Sequence, residues 1–344
     1  MHDLRFAHGG PPLGGWLRTT PEDFLVDEDL GFSPGGEGEH VFLHVRKRGA
    51  NTDWVAGRLA EHAGVAPGAV SYAGMKDRHA VTTQTFSVHL PGMAEPDWEA
   101  FADPGIAITG HSRHHRKLRR GALAGNRFTI TLRDVAGDRE QAEHRLRAMA
   151  VHGVPNYFGG QRFGRDSGNV NRALAFFAGR RTPRKHHGML ISAARSHIFN
   201  AVLSERVGDG TWNRIIDGEC CCLHGSRSWF PAEPGMEGLE ARAAAFDIHP
   251  SGPLWGQGPL PSRGRAADLE QTVAAAYQKL VDGLGRQRLD QDRRALRLCP
   301  GALEWTWPDA ASLTLRFWLP AGSYATAVLR EVAAWREANP PSDI

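Results

Sequence analysis

The chain has 344 residues, of which 41 are Lys or Arg and 38 are Asp or Glu, giving a formal charge of only +3. This balance excludes a polycation that coats nucleic acid with its whole surface, so any polyanion site must be local. A hydrophobic fraction of 41%, with 10 Trp and 15 Phe, suits a globular enzyme of about two domains. No stretch has the length of a membrane span or the apolar core of a signal peptide, so we expect a soluble cytoplasmic protein.

The N-terminal half shows the period of β-strands. Alternating apolar residues predict strands over FLVDEDL, HVFLHVRKR, VSYAG, TTQTFSVHL and NRFTITLRDV, and in the last two the alternation predicts one wet face. Between HVFLHVRKR and VSYAG, Thr52 or Asp53 is predicted to cap a helix that ends at Gly64.

The second half mixes helical and irregular patterns. A helix is predicted from about residue 138, with Ala142, Leu146 and Met149 on its apolar face, and another from Ser192. Residues 231–265 read as loops with short strands, and residues 268–281 read as a helix. A strand over residues 313–319 precedes a helix capped by Ser323, and the tail NPPSDI is expected to fray.

Motif absences narrow the chemistry. The chain has no GxxxxGK[ST], no GxGxxG after a strand and no HExxH, which removes the commonest nucleotide-hydrolase, dinucleotide and zinc-protease interpretations. Three of its four cysteines are consecutive, so neither a disulfide framework nor a thiolate zinc site is expected. The adjacent pairs His114–His115 and His186–His187 lack matching ligand spacing. We therefore expect a reaction with no cofactor and no metal.

Asp77 is the most suggestive candidate for catalysis. It lies in GMKDRHAVTTQ, beside Lys76 and Arg78, in a connection between two predicted strands. Cationic neighbours favour the ionised carboxylate that a nucleophile requires. The alternative, an Asp that caps a turn or pairs with Arg78 in solvent, stays open on the spacing alone.

Basic residues are concentrated in two places. The basic run consists of Arg113, Arg116, Lys117, Arg119 and Arg120. The second basic cluster consists of Arg180, Arg181, Arg184 and Lys185. Guanidinium groups match phosphate oxygens, which makes the basic run a candidate contact for RNA phosphates. A solvated loop is the alternative.

Three phenylalanines fall at inward strand positions: Phe24, Phe128 and Phe317. Core packing is the usual role of such residues. An exposed ring face among them could instead stack on a base, as enzymes that act on extruded nucleotides require.

Segments spread along the chain resemble the TruD family of tRNA pseudouridine synthases. They are PEDFLVDEDLGF, GEGEH, AGMKDRHAVTTQ, RKLRRGALAGNRF, VPNYFGGQRFG, SAARSHIFNAVLSERV, SGPLWGQG and RFWLPAGSYATAVLRE, in the family's order. The resemblance implies an α+β fold, with a catalytic domain on a mixed, largely antiparallel sheet flanked by helices. It implies catalytic segments at residues 1–151 and 292–344 and an inserted α/β TRUD domain at residues 152–291.

The resemblance also implies an activity and a set of site residues. The family isomerises a uridine of tRNA, at position 13, with an aspartate that carries over to Asp77 and a basic partner that carries over to Arg18. Substrate positions of the family carry over to Lys76, Phe24, Asn126 and Phe317. We expect Phe128 to bind the substrate as well. The implied partner is tRNA, and we expect a monomer. A noncatalytic RNA-binding protein and a metal-dependent nuclease are the alternatives.

Overall fold

The computed structural model describes residues 4–338, which include sixteen strands and eight α-helices. The tail NPPSDI, expected to fray, lies outside the described residues. The strands are β1 Leu13–Leu17, β2 Phe24–Asp29, β3 His40–Arg48, β4 Val70–Tyr72, β5 Val81–His89, β6 Ile106–His114, β7 Gly125–Gly137, β8 Val154–Pro155, β9 Cys220–Leu223, β10 Trp229–Pro231, β11 Ile248–Leu254, β12 Asp292–Ala295, β13 Arg297–Leu298, β14 Gly301–Asp309, β15 Ser312–Pro320 and β16 Ala333–Glu337. The helices are α1 Thr52–His62, α2 Arg139–His152, α3 Gly168–Phe177, α4 Arg184–Gly208, α5 Leu239–Ala244, α6 Gly264–Ala275, α7 Gln278–Gly285 and α8 Ala325–Leu329.

The described chain divides into two compact units, each made of separate segments. The sheet unit contains residues 12–142, 300–322 and 333–338, and the helical unit contains residues 4–11, 143–299 and 323–332. The insertion predicted for residues 152–291 falls within the long segment of the helical unit. The domain boundaries themselves stay a prediction.

A ten-stranded mixed sheet forms the sheet unit. Its main path runs β14-β15-β7-β2-β5-β3-β6, with β1 paired to both β7 and β16, and β4 paired to β5. The pairs β1–β16 and β2–β5 are parallel, and the others are antiparallel. The predicted α+β class with a largely antiparallel mixed sheet is confirmed.

Helix α1 covers part of this sheet and forms a core with it. Val55 and Leu59 of α1 are fully buried, as are Val45 of β3 and Phe86 of β5. The prediction of one wet face for β5 was wrong, because Thr85 and Ser87 on that face are also buried. The hydroxyl of Ser87 on this face lies within hydrogen-bond distance of the His40 ring, and such partners allow a polar group to be buried.

The helical unit packs helices against a four-stranded antiparallel sheet, in the order β10-β9-β11-β12. The core is centred on α4, whose Ile198, Phe199 and Leu203 are fully buried. A buried ion network adds to it: Arg206 donates to Glu219 (2.8 Å), and Arg293 donates to Glu270 (2.7 Å).

Three predicted helix starts differ from the structure. Helix α4 begins at Arg184 rather than Ser192, because burial of Leu190 compensates for the poor helix former Gly188. Asn51 is the N-cap of α1, in place of Thr52 or Asp53, and Tyr324 is the N-cap of α8, in place of Ser323.

Candidate active site

Asp77 lies in the loop between β4 and β5, and neighbouring elements fix the backbone of this loop. The hydrogen bonds run from the amide of Gly121 to the carbonyl of Ala73 (2.7 Å), from the side chain of Gln84 to the carbonyl of Gly74 (3.2 Å) and from the amide of Lys76 to the hydroxyl of Thr52 (3.0 Å). The Asp77 side chain is 33% exposed. Its carboxylate is therefore accessible to a ligand although the loop that carries it is held in place.

The guanidinium of Arg18 joins two carboxylates. Its Nη2 donates to Oδ2 of Asp77 at 3.0 Å, and its Nη1 donates to Oε1 of Glu337 at 2.7 Å. Arg18 is only 4% exposed, so solvent screens these ion pairs weakly. The planar group has donors pointing in different directions and fixes both carboxylates relative to each other. The structure thus brings Arg18 and Asp77 together, as expected, whereas their catalytic roles stay a prediction.

Glu337 is a site residue that the sequence did not reveal. It is the last residue of β16, and it lies opposite Leu17 of β1 in the parallel pair. Burial raises the pKa of Glu337 above its ordinary value, although the charge of Arg18 opposes this rise. A parallel contact between strands so far apart along the chain leaves no local signal in the sequence.

Arg18 reaches this position through an unusual backbone conformation. It directly follows β1 and has a φ of +58°, in the left-handed region that costs a residue other than glycine about 1 kcal/mol. Its guanidinium lies 4.2 Å from the centre of the Phe24 ring. Phe24 therefore supports the guanidinium from one face while the two carboxylates bind its edges.

Lys76 occupies a different environment from the one its position in the sequence suggested. Its Nζ donates to Oε1 of Glu28 at 2.6 Å, and both side chains are nearly buried. Glu28 also accepts a hydrogen bond from the amide of Thr85. Arg18 thus contacts Asp77, whereas the charge of Lys76 is neutralised by Glu28. A role of Lys76 in substrate binding stays a prediction.

The three phenylalanines lie on neighbouring strands and contact one another. Phe128 of β7 stacks on Phe317 of β15, with ring centres 5.5 Å apart, and meets the edge of Phe24 at 6.2 Å. Phe24 and Phe317 are 2% and 3% exposed, as core residues are, and Phe128 is half-buried. Phe128 therefore offers the most ring surface to a base.

Asn126 is two residues before Phe128 on β7 and lies opposite Glu28 of β2 and Leu319 of β15. Its side-chain oxygen is buried and accepts no hydrogen bond from any described residue. An unsatisfied buried acceptor costs about 1 to 3 kcal/mol, which makes this atom a candidate for ligand binding.

The basic run begins at the end of β6 and continues into the following loop. Arg113 is half-buried and contacts Gly38 and Glu95, whereas the other four members are exposed. Leu118 between them is buried against Ala73, in the segment that leads to Asp77. Residues 117–120 and α1 line a cavity of about 500 Å³. The basic run is thus anchored next to the loop of Asp77.

The second basic cluster lies in the helical unit, before and within the first turn of α4, and its members are exposed. Neither histidine pair forms a ligand group: within residues 4–338, no three His, Cys, Asp or Glu side chains are arranged to hold a metal ion. Over the same residues, no helix combines the length and the apolar character needed to cross a membrane.

Comparison with known proteins identifies the family of this chain. The sequence model of the family described as tRNA pseudouridine synthase D (TruD) matches residues 4–175 and 166–332. The chain belongs to the TruD family. The resemblance of the dispersed segments is thereby confirmed over nearly the whole length.

Individual TruD-family relatives match this chain over most of its length. A tRNA pseudouridine synthase D of Xanthomonas axonopodis pv. citri is 51% identical, over 95% of this chain and 93% of the relative. The protein of the same name from Methylococcus capsulatus is 50% identical, over 96% and 94%. That of Aeromonas salmonicida is 48% identical, over 98% and 96%.

A solved structure supports the TruD fold. The crystal structure of a Methanosarcina mazei protein, described as a candidate tRNA pseudouridine synthase D (TruD), superposes with a TM-score of 0.75. The alignment covers 95% of each chain at 22% sequence identity. At this identity the likeness concerns the fold alone.

Proposed function

We propose that this chain isomerises uridine to pseudouridine in tRNA, with Asp77 as the carboxylate that acts on the ribose. The observation that carries the proposal is the ion pair between the partly exposed Asp77 and the nearly buried Arg18. A carboxylate held by a desolvated guanidinium is fixed in orientation, as a nucleophile or base must be. Membership of the TruD family, whose named members are tRNA pseudouridine synthases, supports the same reaction.

The reaction breaks the bond between N1 of uracil and C1′ of the ribose and joins C5 of the same base to C1′. N1 gains a proton and C5 loses one, so no electrons, phosphate or further reactant are needed. Asp77 acts either as a nucleophile on C1′ or as a base on the 2′ proton, which gives a glycal. Because the atoms, protons and electrons of the reaction are all accounted for by the base and the sugar, we propose that the reaction uses no cofactor.

Base recognition is proposed for Asn126 and Phe128. Uracil presents N3–H as a donor, which matches the unsatisfied acceptor of Asn126. The half-buried ring of Phe128, supported by Phe317 and Phe24, provides a surface for stacking. Since a paired or stacked uridine hides these atoms, the nucleotide must first swing out of the RNA.

The rest of the substrate is proposed to contact the basic run. Its exposed members lie on the loop that is anchored beside Asp77, so a phosphate bound there would be near the extruded nucleotide. We further propose that the target is position 13 of tRNA, as the family resemblance implies, and that the chain acts as a monomer.

The proposal is tested by incubating the purified protein with an unmodified tRNA transcript in EDTA and mapping pseudouridine at nucleotide resolution. The expected result is one modified position, number 13. Pseudouridine at another position would overturn the site assignment only. Binding of tRNA without any product would favour the noncatalytic RNA-binding alternative, and dependence on a metal would contradict the cofactor-free reaction.

The role of Asp77 is tested by Asp77→Asn, which keeps the size of the side chain and removes its charge. We expect no product and unchanged tRNA affinity, because the phosphate contacts are intact. Asp134→Asn is a matched control, since Asp134 is exposed and its positive φ suits asparagine. Substantial product from Asp77→Asn would refute the assigned role.

A further inference from the structure

Lys47 occupies a position of β3 at which the alternation of the strand requires an apolar residue. Val41, Leu43 and Val45 precede it on the same face, and all three are 0% exposed. Lys47 is also 0% exposed. A charged side chain at such a position is unfavourable for stability unless something else requires it, because burial removes the hydration of the ammonium group.

The hydrogen bonds of Lys47 converge on the loop of Asp77. Its Nζ donates to the backbone carbonyl of Asp77 at 3.1 Å and to that of Ala50 at 2.7 Å. Burial lowers the pKa of Lys47 to about 8, and the charge of Asp77 opposes this lowering. The ammonium thus donates its two hydrogen bonds to neutral carbonyl oxygens.

These contacts complete the immobilisation of Asp77. Arg18 holds the carboxylate of Asp77, and Lys47 holds its backbone from the opposite end of the residue. The turn after β3 adds a bond from the amide of Gly49 to the carbonyl of Ala80 (3.2 Å), three residues beyond Asp77. Because a displacement of about 1 Å can reduce a rate about 100-fold, a fixed backbone is a kinetic requirement for such a residue.

We propose that Lys47 is a positioning residue for the isomerisation: its buried ammonium fixes the main chain of Asp77 so that the carboxylate meets the ribose in a single orientation. This inference rests on the proposed function of Asp77. It also explains why a charge remains where an apolar residue would pack well.

The test compares Lys47→Met, which fills a similar volume without donors, with Val45→Ala, which weakens the same face of β3 and does not touch Asp77. The measurements are the single-turnover rate at saturating enzyme, the affinity for tRNA and the melting temperature. For Lys47→Met we expect a rate about 100-fold lower and tRNA affinity within about threefold of the unchanged protein. For Val45→Ala we expect a lower melting temperature and a rate within about threefold.

A rate of Lys47→Met within about threefold of the unchanged protein would overturn the inference, as would an equal loss of rate in Val45→Ala. If Lys47→Met does not fold, Lys47→Gln retains a neutral donor and takes its place, with a loss above about tenfold expected and wild-type rate as the contrary result. Asp77→Asn is measured in parallel. An active Asp77→Asn refutes the proposed function, whereas an inactive Asp77→Asn with a fast Lys47→Met refutes the role of Lys47 alone.

Discussion

Replacing Lys47 with methionine should change how the stability of the protein depends on pH. Burial lowers the pKa of Lys47 from 10.5 to about 8. At about 1.4 kcal/mol per pH unit, this difference corresponds to about 3 kcal/mol of destabilisation when the lysine is charged. Methionine removes that cost and loses two hydrogen bonds of about 1 kcal/mol each. Near pH 7 the variant should therefore be at least as stable as the parent protein.

The sign of the pH dependence follows from the two protonation states. Below about pH 8, Lys47 is charged in both the folded and the unfolded chain, and the full cost applies. Between about pH 8 and 10.5, the unfolded chain holds a proton that the folded chain has lost, so the free energy of unfolding rises with pH. The nearby charges of Asp77 and Lys76 are present in both proteins. Relative to the variant, the parent should gain about 3 kcal/mol over this range.

Urea unfolding, followed by tryptophan fluorescence at several values between pH 7 and 10, measures this difference directly. Effects of all other titrating groups cancel when the parent and Lys47→Met are subtracted. Val45→Ala should show a constant offset from the parent, because it changes no titrating group. Parallel curves for the parent and Lys47→Met above pH 8 would refute the reasoning.

Further outcomes follow from the site. Arg18→Met should reduce the isomerisation rate about 100-fold, and Arg18→Lys less, because lysine keeps the charge but lacks the planar fork that fixes the two carboxylates. Equal rates for the two variants would contradict this expectation. Charge reversal at Lys117 and Arg119 should weaken tRNA binding and lower by about two the slope of log affinity against log salt concentration. Reversal of two charges in the second basic cluster should have a smaller effect. An unchanged slope for the first variant would place the RNA elsewhere. Asn126→Ala should slow the reaction about tenfold in a single-turnover assay and leave the tRNA affinity, measured by filter binding, unchanged. The melting temperature should not fall, because the substitution removes a buried acceptor that has no hydrogen-bond partner among the described residues. A loss of affinity without a loss of rate would assign Asn126 to RNA docking.

Local patterns predicted the strands around the candidate site well. The alternation in HVFLHVRKR and NRFTITLRDV gave β3 and β7, and the polar segment between β4 and β5 gave the loop of Asp77. Periodicity works here because each segment has one face against a core. The pairing of Arg18 with Asp77, by contrast, came only from the family resemblance, since fifty-nine residues separate them.

Other features depend on long-range packing that no local pattern records. Glu337 reaches Arg18 only because β16 lies parallel to β1. The burial of Lys47 was not predicted, because a lysine near the end of a strand is usually exposed to solvent. The buried polar face of β5 was predicted wrongly because burial of hydroxyl groups depends on partners supplied by other elements, such as His40 for Ser87.

The parallel pairing of β1 with β16 has a consequence for the order of events during synthesis. A nascent chain is made from the N-terminus and begins to fold before it is finished. Arg18 can be bound by Glu337 only once residues 333–337 have left the ribosome, although Asp77 emerges far earlier. Arg18 should thus bind both carboxylates only after β16 has been made, and cleavage just before Ala333 should separate Glu337 from Arg18.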